Sequence, residues 1–164
     1  MAEFRFIGRK EAQEMHDFSY PICMESIGPM MTGGPSTAEY IFGMWSSAES
    51  IRRDMDAGTA YAYLMDGGRK AGFLAFRIEG EKLHVCKCYL SKGERGKGLG
   101  SEMLRMMLEY GKEHGCTSAY LHVDSHNVPA MGMYAKNGFS VDYREIEDQG
   151  NGFSTNNCVM SRRL

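Results

Sequence analysis

The chain has 164 residues, 43% hydrophobic and 24% charged, a size and balance that suit one folded domain over residues 1–164. Its formal net charge is −2 and its lysines and arginines are dispersed, so no global field draws it to nucleic acid or to an anionic membrane. No apolar run approaches the roughly 18 residues of a bilayer span, and Met1-Ala2-Glu3-Phe4-Arg5 turns polar at once, so a cytoplasmic protein is expected.

Phe4-Arg5-Phe6-Ile7 reads as a first strand and Arg9 to Phe18 as a helical stretch. Ser19 to Pro35 holds three of the four prolines with Gly28, Gly33 and Gly34, and reads as a loop or a broken helix. Helical signals resume at Ser36-x-x-Glu39, a capping box. Ser46-x-x-Glu49 makes a second box, and Gly58 stops that helix after Asp56.

Tyr61 to Met65, Ala71 to Ile78 and Leu83 to Leu90 read as strands, joined by Asp66-Gly67 and Glu79-Gly80, hence an antiparallel meander. Beyond a glycine-rich turn, Met103, Leu104, Met107 and Leu108 recur at helical spacing, with Gly115 at the C-terminal cap. Ala119 to Val123 is a buried-looking strand, Pro129 to Lys136 a short helix, and Phe139 onward a strand again. Asn151-Gly152 marks a hairpin into a last strand near Asn157 to Met160. The predicted order is β-α-α-β-β-β-α-β-α-β-β, an α/β (α+β) chain with a mixed, mostly antiparallel sheet flanked by helices.

The five cysteines are odd in number, and their spacings do not suggest a secreted disulfide framework. His84-x-Cys86-x-Cys88 alternates on a strand and is expected to share one face, a hint of metal. No second Cys/His pair stands at finger-like spacing, so reduced core thiols are expected and no metal site.

The most informative segment is Arg95-Gly96-Lys97-Gly98-Leu99-Gly100-Ser101, between a strand and an amphipathic helix. Its glycines let backbone approach a ligand, and the N–H groups of the helix start form an anion site. A P-loop fails, because Gly98 follows Lys97 where Ser or Thr is needed and Ser91 stands at the earlier glycine. A dinucleotide fingerprint starting at Gly96 fails at Ser101, and meander strands precede the turn.

Arg95-x-x-Gly98-x-Gly100 resembles the (Arg/Gln)-x-x-Gly-x-(Gly/Ala) signature of the GNAT superfamily of N-acetyltransferases, in the same strand-turn-helix context. Asn127-x-x-Ala130-x-x-x-Tyr134-x-x-x-Gly138-Phe139 is similar to that family's second conserved segment. The likeness covers nearly the whole chain, least from Ser19 to Ala57. Lys87-Cys88-Tyr89-Leu90 and the ending from Gly150 to Met160 resemble bacterial polyamine N-acetyltransferase-like enzymes.

The resemblance implies acetyl-CoA as acyl donor and direct transfer to a primary amine, a polyamine-like or amino-acid-like small molecule. It implies that residues 95–101 and Asn127 hold the cofactor. It also implies that Cys88 N–H polarises the thioester carbonyl, that Tyr89 and Leu90 flank the pantetheine arm, and that Tyr134 protonates the leaving thiolate. An amine resembling lysine, with pKa near ~10.4, must lose a proton before it attacks. His84, eleven residues before Arg95 where the family often carries a Glu or His, is the expected base. A water chain or a carboxylate such as Glu25 is the alternative. An acceptor on a protein N-terminus or lysine, a non-catalytic CoA-binding module, and a homodimer all stay open at this point.

Overall fold

The computed structural model describes residues Met1–Leu164. After β1 (Ala2–Phe6) come α1 (Ala12–Ser26), α2 (Pro35–Trp45) and α3 (Ala48–Asp56), then the meander β2 (Ala60–Asp66), β3 (Arg69–Glu79) and β4 (Lys82–Leu90). The chain continues through α4 (Leu99–Glu113), β5 (Ser118–Asp124), α5 (Val128–Lys136), β6 (Ser140–Gly150) and β7 (Phe153–Arg163). One seven-stranded sheet runs in the order β1-β2-β3-β4-β5-β7-β6. β4 and β5, joined by α4, are its parallel pair, and the other pairs are antiparallel. No helix is long and apolar enough to cross a membrane.

Both faces of the central strands are covered, which is why Tyr61-Ala62-Tyr63-Leu64 is buried throughout instead of alternating. Ala62, Leu64, Leu83 and Val85 pack under Met103, Leu104 and Met107 of α4. Tyr61, Tyr63 and Phe73 face Met15, Cys23, Ile41 and Ile51 of α1–α3.

Three helices, not two, lie between β1 and β2, and their boundaries correct the sequence reading. The helix expected to end at Phe18 runs on to Ser26 with Pro21 inside it. An internal proline costs about 3 kcal/mol. Met15 and Cys23, buried with Ser19 in one stripe at four-residue spacing, offset this, since each fully buried apolar side chain contributes about 1.5–3 kcal/mol. The Ser36 box does not form, because α2 starts one residue earlier at Pro35, capped by Gly34 at φ 68°. For α3 the cap is Ser47, whose Oγ accepts from Ser50 N–H at 3.1 Å; Ser46 ends α2 instead.

Two irregularities of β4 make the site. Val85 pairs with Phe76 and Lys87 with Ala75, so Cys86 bulges out unpaired. The bulge inverts the alternation: Leu83 and Val85 face α4, and beyond it so do Cys88 and Leu90. Cys86 and Tyr89 turn to the opposite face. The expectation that His84, Cys86 and Cys88 share a face therefore fails, since the extra residue puts Cys88 on the α4 side. The second irregularity is that pairing between β4 and β5 ends at Val85↔Leu121. β5 runs on to Asp124 beside β7, and residues 86–90 are left without a partner on that side.

Candidate active site

The fork between β4 and β5 opens into a cleft of about 800 Å³. Cys88, Tyr89, Leu90, Arg95, Gly96, Gly98, Gly100, Ser101, Asn127 and Tyr134 all line it, so the structure brings most of the sequence-predicted site together. Gly96 and Gly98 sit at φ 80° and 84°, a left-handed backbone that other residues enter only under strain. Open space lies where a Cβ would stand at either position. Gly98 caps α4 without a side chain, and Gly98 C=O accepts the first helical bond, from Glu102 N–H at 3.1 Å. The N–H groups of Leu99, Gly100 and Ser101 therefore lack helical partners and carry the positive end of the helix dipole.

Some of the predicted cofactor residues turn their side chains elsewhere. Lys97 turns to Glu94 at 3.5 Å, and Leu99 is buried in the core; neither side chain lines the cleft. The Arg95 guanidinium is engaged by Glu25 at 2.7 and 3.0 Å and by Leu90 C=O at 3.0 and 3.2 Å. It clamps the end of β4 to the end of α1. The same bond holds the Glu25 carboxyl below its usual range, which leaves Glu25 a poor base.

Asn127 caps α5 by accepting from Ala130 N–H at 3.3 Å. Tyr134 is 8% exposed, and burial raises its phenol well above the ordinary value, so it holds its proton at neutral pH. Burial also raises the Cys86 and Cys88 thiols to about 12, which argues against either as a nucleophile.

His84 does not line the cleft. Its ring stacks on Tyr120 at 4.4 Å and meets His122 edge-on at 5.7 Å. Glu79 Oε2 lies 3.5 Å from its Nδ1, which has no hydrogen bond. The imidazole that does line the cleft is His122, on the same face of β5 as Tyr120, with its Nε2 3.6 Å from Glu145. Sequence reasoning missed it. The available signal was alternation: Tyr120, His122 and Asp124 place a polar group at every second position of a strand read as buried.

The rest of this wall is polar. Glu147 accepts from Asn157 at 3.2 Å, and the closeness of its carboxylate raises the Glu145 carboxyl. His122, Glu145 and Glu147 bring ligand atoms within 4.8 Å of one another and are the residues that could hold a cation. Trp45, 49% exposed, donates to Gln149 at 3.3 Å, and Tyr40 stacks on Phe153 at 4.4 Å, docking α2 on the β6–β7 hairpin. Lys87 Nζ is tied to Trp45 C=O at 3.2 Å and Ser46 Oγ at 3.3 Å, and burial lowers its pKa.

A forked parallel strand pair ending at a glycine-rich helix start offers free main-chain groups of the kind that suit an extended, phosphate-bearing ligand. The chain belongs to the acetyltransferase (GNAT) family, whose model matches residues 32–139. A mycothiol acetyltransferase of Corynebacterium glutamicum (strain R) is 30% identical over 103 residues, 60% of this chain and 35% of that protein. A streptothricin acetyltransferase of Streptomyces lavendulae is 32% identical over 89 residues, 53% of this chain and 47% of that protein. The matched region thus spans about a third to a half of the length of these curated relatives.

Among solved structures, the PaiA N-acetyltransferase of Thermoplasma acidophilum in complex with coenzyme A is similar, with a TM-score of 0.78 and 16% identity over 100% of this chain and 99% of that one. The spermidine/spermine N-acetyltransferase SpeG of Vibrio cholerae has a TM-score of 0.68 and 15% identity over 99% and 93% of the two chains. At such identities the likeness establishes the fold.

Proposed function

We propose that the chain is an acetyl-CoA-dependent N-acetyltransferase that acetylates a small cationic amine, polyamine-like or amino-acid-like, by direct transfer. The observation that carries this reading is the fork beyond Val85 and Leu121, which joins the free helix start at Gly98 to Tyr134 within one cleft. Acetyl-CoA supplies the activated acetyl group. The N–H groups of Leu99, Gly100 and Ser101 receive its pyrophosphate, and the unpaired edge of residues 88–90 takes the pantetheine amides as a neighbouring strand would. Cys88 N–H bonds the carbonyl oxygen that gains charge during transfer.

Across the fork, His122 rather than His84 takes the amine proton, because only His122 lines the cleft; Glu145 stabilises the resulting imidazolium. The neutral amine nitrogen bonds to the acetyl carbon as the carbon–sulfur bond breaks; Tyr134 gives its proton to the departing thiolate, and the phenolate is reprotonated by the second proton that the product nitrogen sheds. Direct transfer is favoured because all three cleft thiols, Cys23, Cys86 and Cys88, are held protonated by burial. A cationic acceptor is favoured because Lys87 and Arg95 are already engaged, while Asp124 and Glu147 face the cleft. An acceptor screen following free thiol release, with polyamines, amino acids and peptides, tests this reading. Turnover confined to peptides would move the acceptor to a protein, and no turnover despite CoA binding would leave a binding module.

A further inference from the structure

Asp124 ends β5 on the face that carries His122, and its side chain is 6% exposed. One carboxylate oxygen is fully used: Oδ1 accepts from His126 N–H at 2.8 Å and lies 3.1 Å from the His126 ring. The other, Oδ2, is buried and receives no donor from the protein. His126 is its one ion-pair partner, on the Oδ1 side. An unpaired buried charged oxygen costs more than the roughly 1–3 kcal/mol of a neutral group. The fold keeps this one where β4 and β5 part, in the wall of the cleft.

Residues two apart on a strand project from the same face roughly 7 Å apart, so Asp124 and His122 bracket a space the size of one amine. We propose that Asp124 Oδ2 accepts an N–H of the acceptor amine and thereby holds its nitrogen in the fork, before His122. Asp124 is then the binding and orienting carboxylate of the acceptor, and His126 fixes its rotamer through Oδ1. Trp45 and Glu147 line the same cleft and are available to the remainder of a cationic substrate. The inference rests on the amine-acceptor reading and adds to it the atom that receives the amine.

Asp124→Asn tests it. The amide keeps an oxygen for His126 N–H and replaces Oδ2 by a donor that opposes an amine. Spermidine binding to the CoA-loaded protein is followed by calorimetry, alongside CoA affinity and thiol release. The expected result is at least about a tenfold loss of spermidine affinity, with CoA affinity within about twofold of wild type. Unchanged spermidine binding overturns the proposal. A loss of CoA affinity with unchanged spermidine binding also overturns it, by assigning Oδ2 to a pantetheine amide. Should the Asn variant fail to fold, Asp124→Ser keeps a short oxygen for His126 N–H, removes the charge and carries the same expectation. Wild-type protein that releases thiol with amines while both variants match it sinks this inference alone; absence of thiol release with every amine sinks the functional reading itself.

Discussion

The two walls of the cleft are made of different material. Along the end of β4 and the start of α4 the free polar groups are main-chain N–H and C=O, released by a bulge, a missing strand partner and a helix end. The facing wall is assembled from side chains of β5, β6, β7 and α2, with His122, Asp124, Glu147, Gln149 and Trp45 brought together from remote parts of the chain. A main-chain site needs particular backbone conformations, and these demand particular residues at particular spacings. A side-chain site needs only that polar groups meet, which many sequences achieve. The first wall suits an invariant cosubstrate and the second can vary with the acceptor.

Changes to the reacting groups at the junction of the walls should have the largest effect. Tyr134→Phe removes one hydroxyl and leaves the ring packed at 6.0 Å from Phe139. Turnover should fall by roughly 10²–10⁴-fold in single-turnover kinetics, with CoA affinity retained. Wild-type turnover with chemistry rate-limiting would remove the phenol from the mechanism. Next comes the contrast of histidines. His122→Gln should lower kcat by about 10²-fold or more with CoA affinity retained. His84→Gln should leave kcat within a few-fold of wild type; if it alone abolishes turnover in a folded protein, the base is His84 and the cleft wall has been misassigned.

A smaller effect separates the walls themselves. Gly100 is the second residue of α4, helical in conformation, and a Cβ there meets Leu90 at an ordinary 3.7 Å. A carboxylate in a first helical turn stabilises the helix by about 0.3–1 kcal/mol but repels a bound phosphate. Gly100→Asp should therefore weaken CoA binding by about tenfold or more while the melting temperature holds or rises. Equal CoA affinity by calorimetry would show that the helix start does not carry the pyrophosphate. Gly98→Val is a poorer probe, because φ 84° would strain any replacement.

How much was legible follows from the same distinction. Gly96 and Gly98 could be read because each answers a left-handed backbone, and Asn127 because it caps a helix, while Gly100 and the rest of the run to Phe139 are legible through the family resemblance. The meander could be read from its turn pairs, and all three strands pair as expected. Helix α1 was cut short because Pro21 is a strong local breaker, and only the buried stripe of Met15, Ser19 and Cys23 against the sheet outweighs it. The face of Cys88 was misread because nothing in Cys86 itself announces a bulge. Trp45 meets Gln149 across 104 residues, and no local pattern encodes such a contact.

The smallest effect concerns His84, whose place is in the packing rather than the cleft. Burial lowers its pKa below 6.5; Glu79 opposes that shift, while His122 and Arg77 reinforce it. Between the folded value and about 6.5 the unfolded chain binds more protons than the folded one, so stability rises with pH through that window. The contribution is complete above the unfolded value and is lost as pH falls through the folded one. Glu79 also faces this ring. Burial works against its charge, yet hydrogen bonds from Tyr120 and Arg77 hold its pKa below 4.5, so its contribution is lost at lower pH still. Tyr120, whose phenol is raised by burial and by Glu79, stays neutral across both windows. Urea unfolding of wild type and His84→Gln from pH 4 to 8 should therefore give curves that differ in slope just below about 6.5 and run parallel above that window. Curves parallel throughout would mean that His84 is not buried as a neutral ring, and the separation of the two histidines would then lose its physical basis.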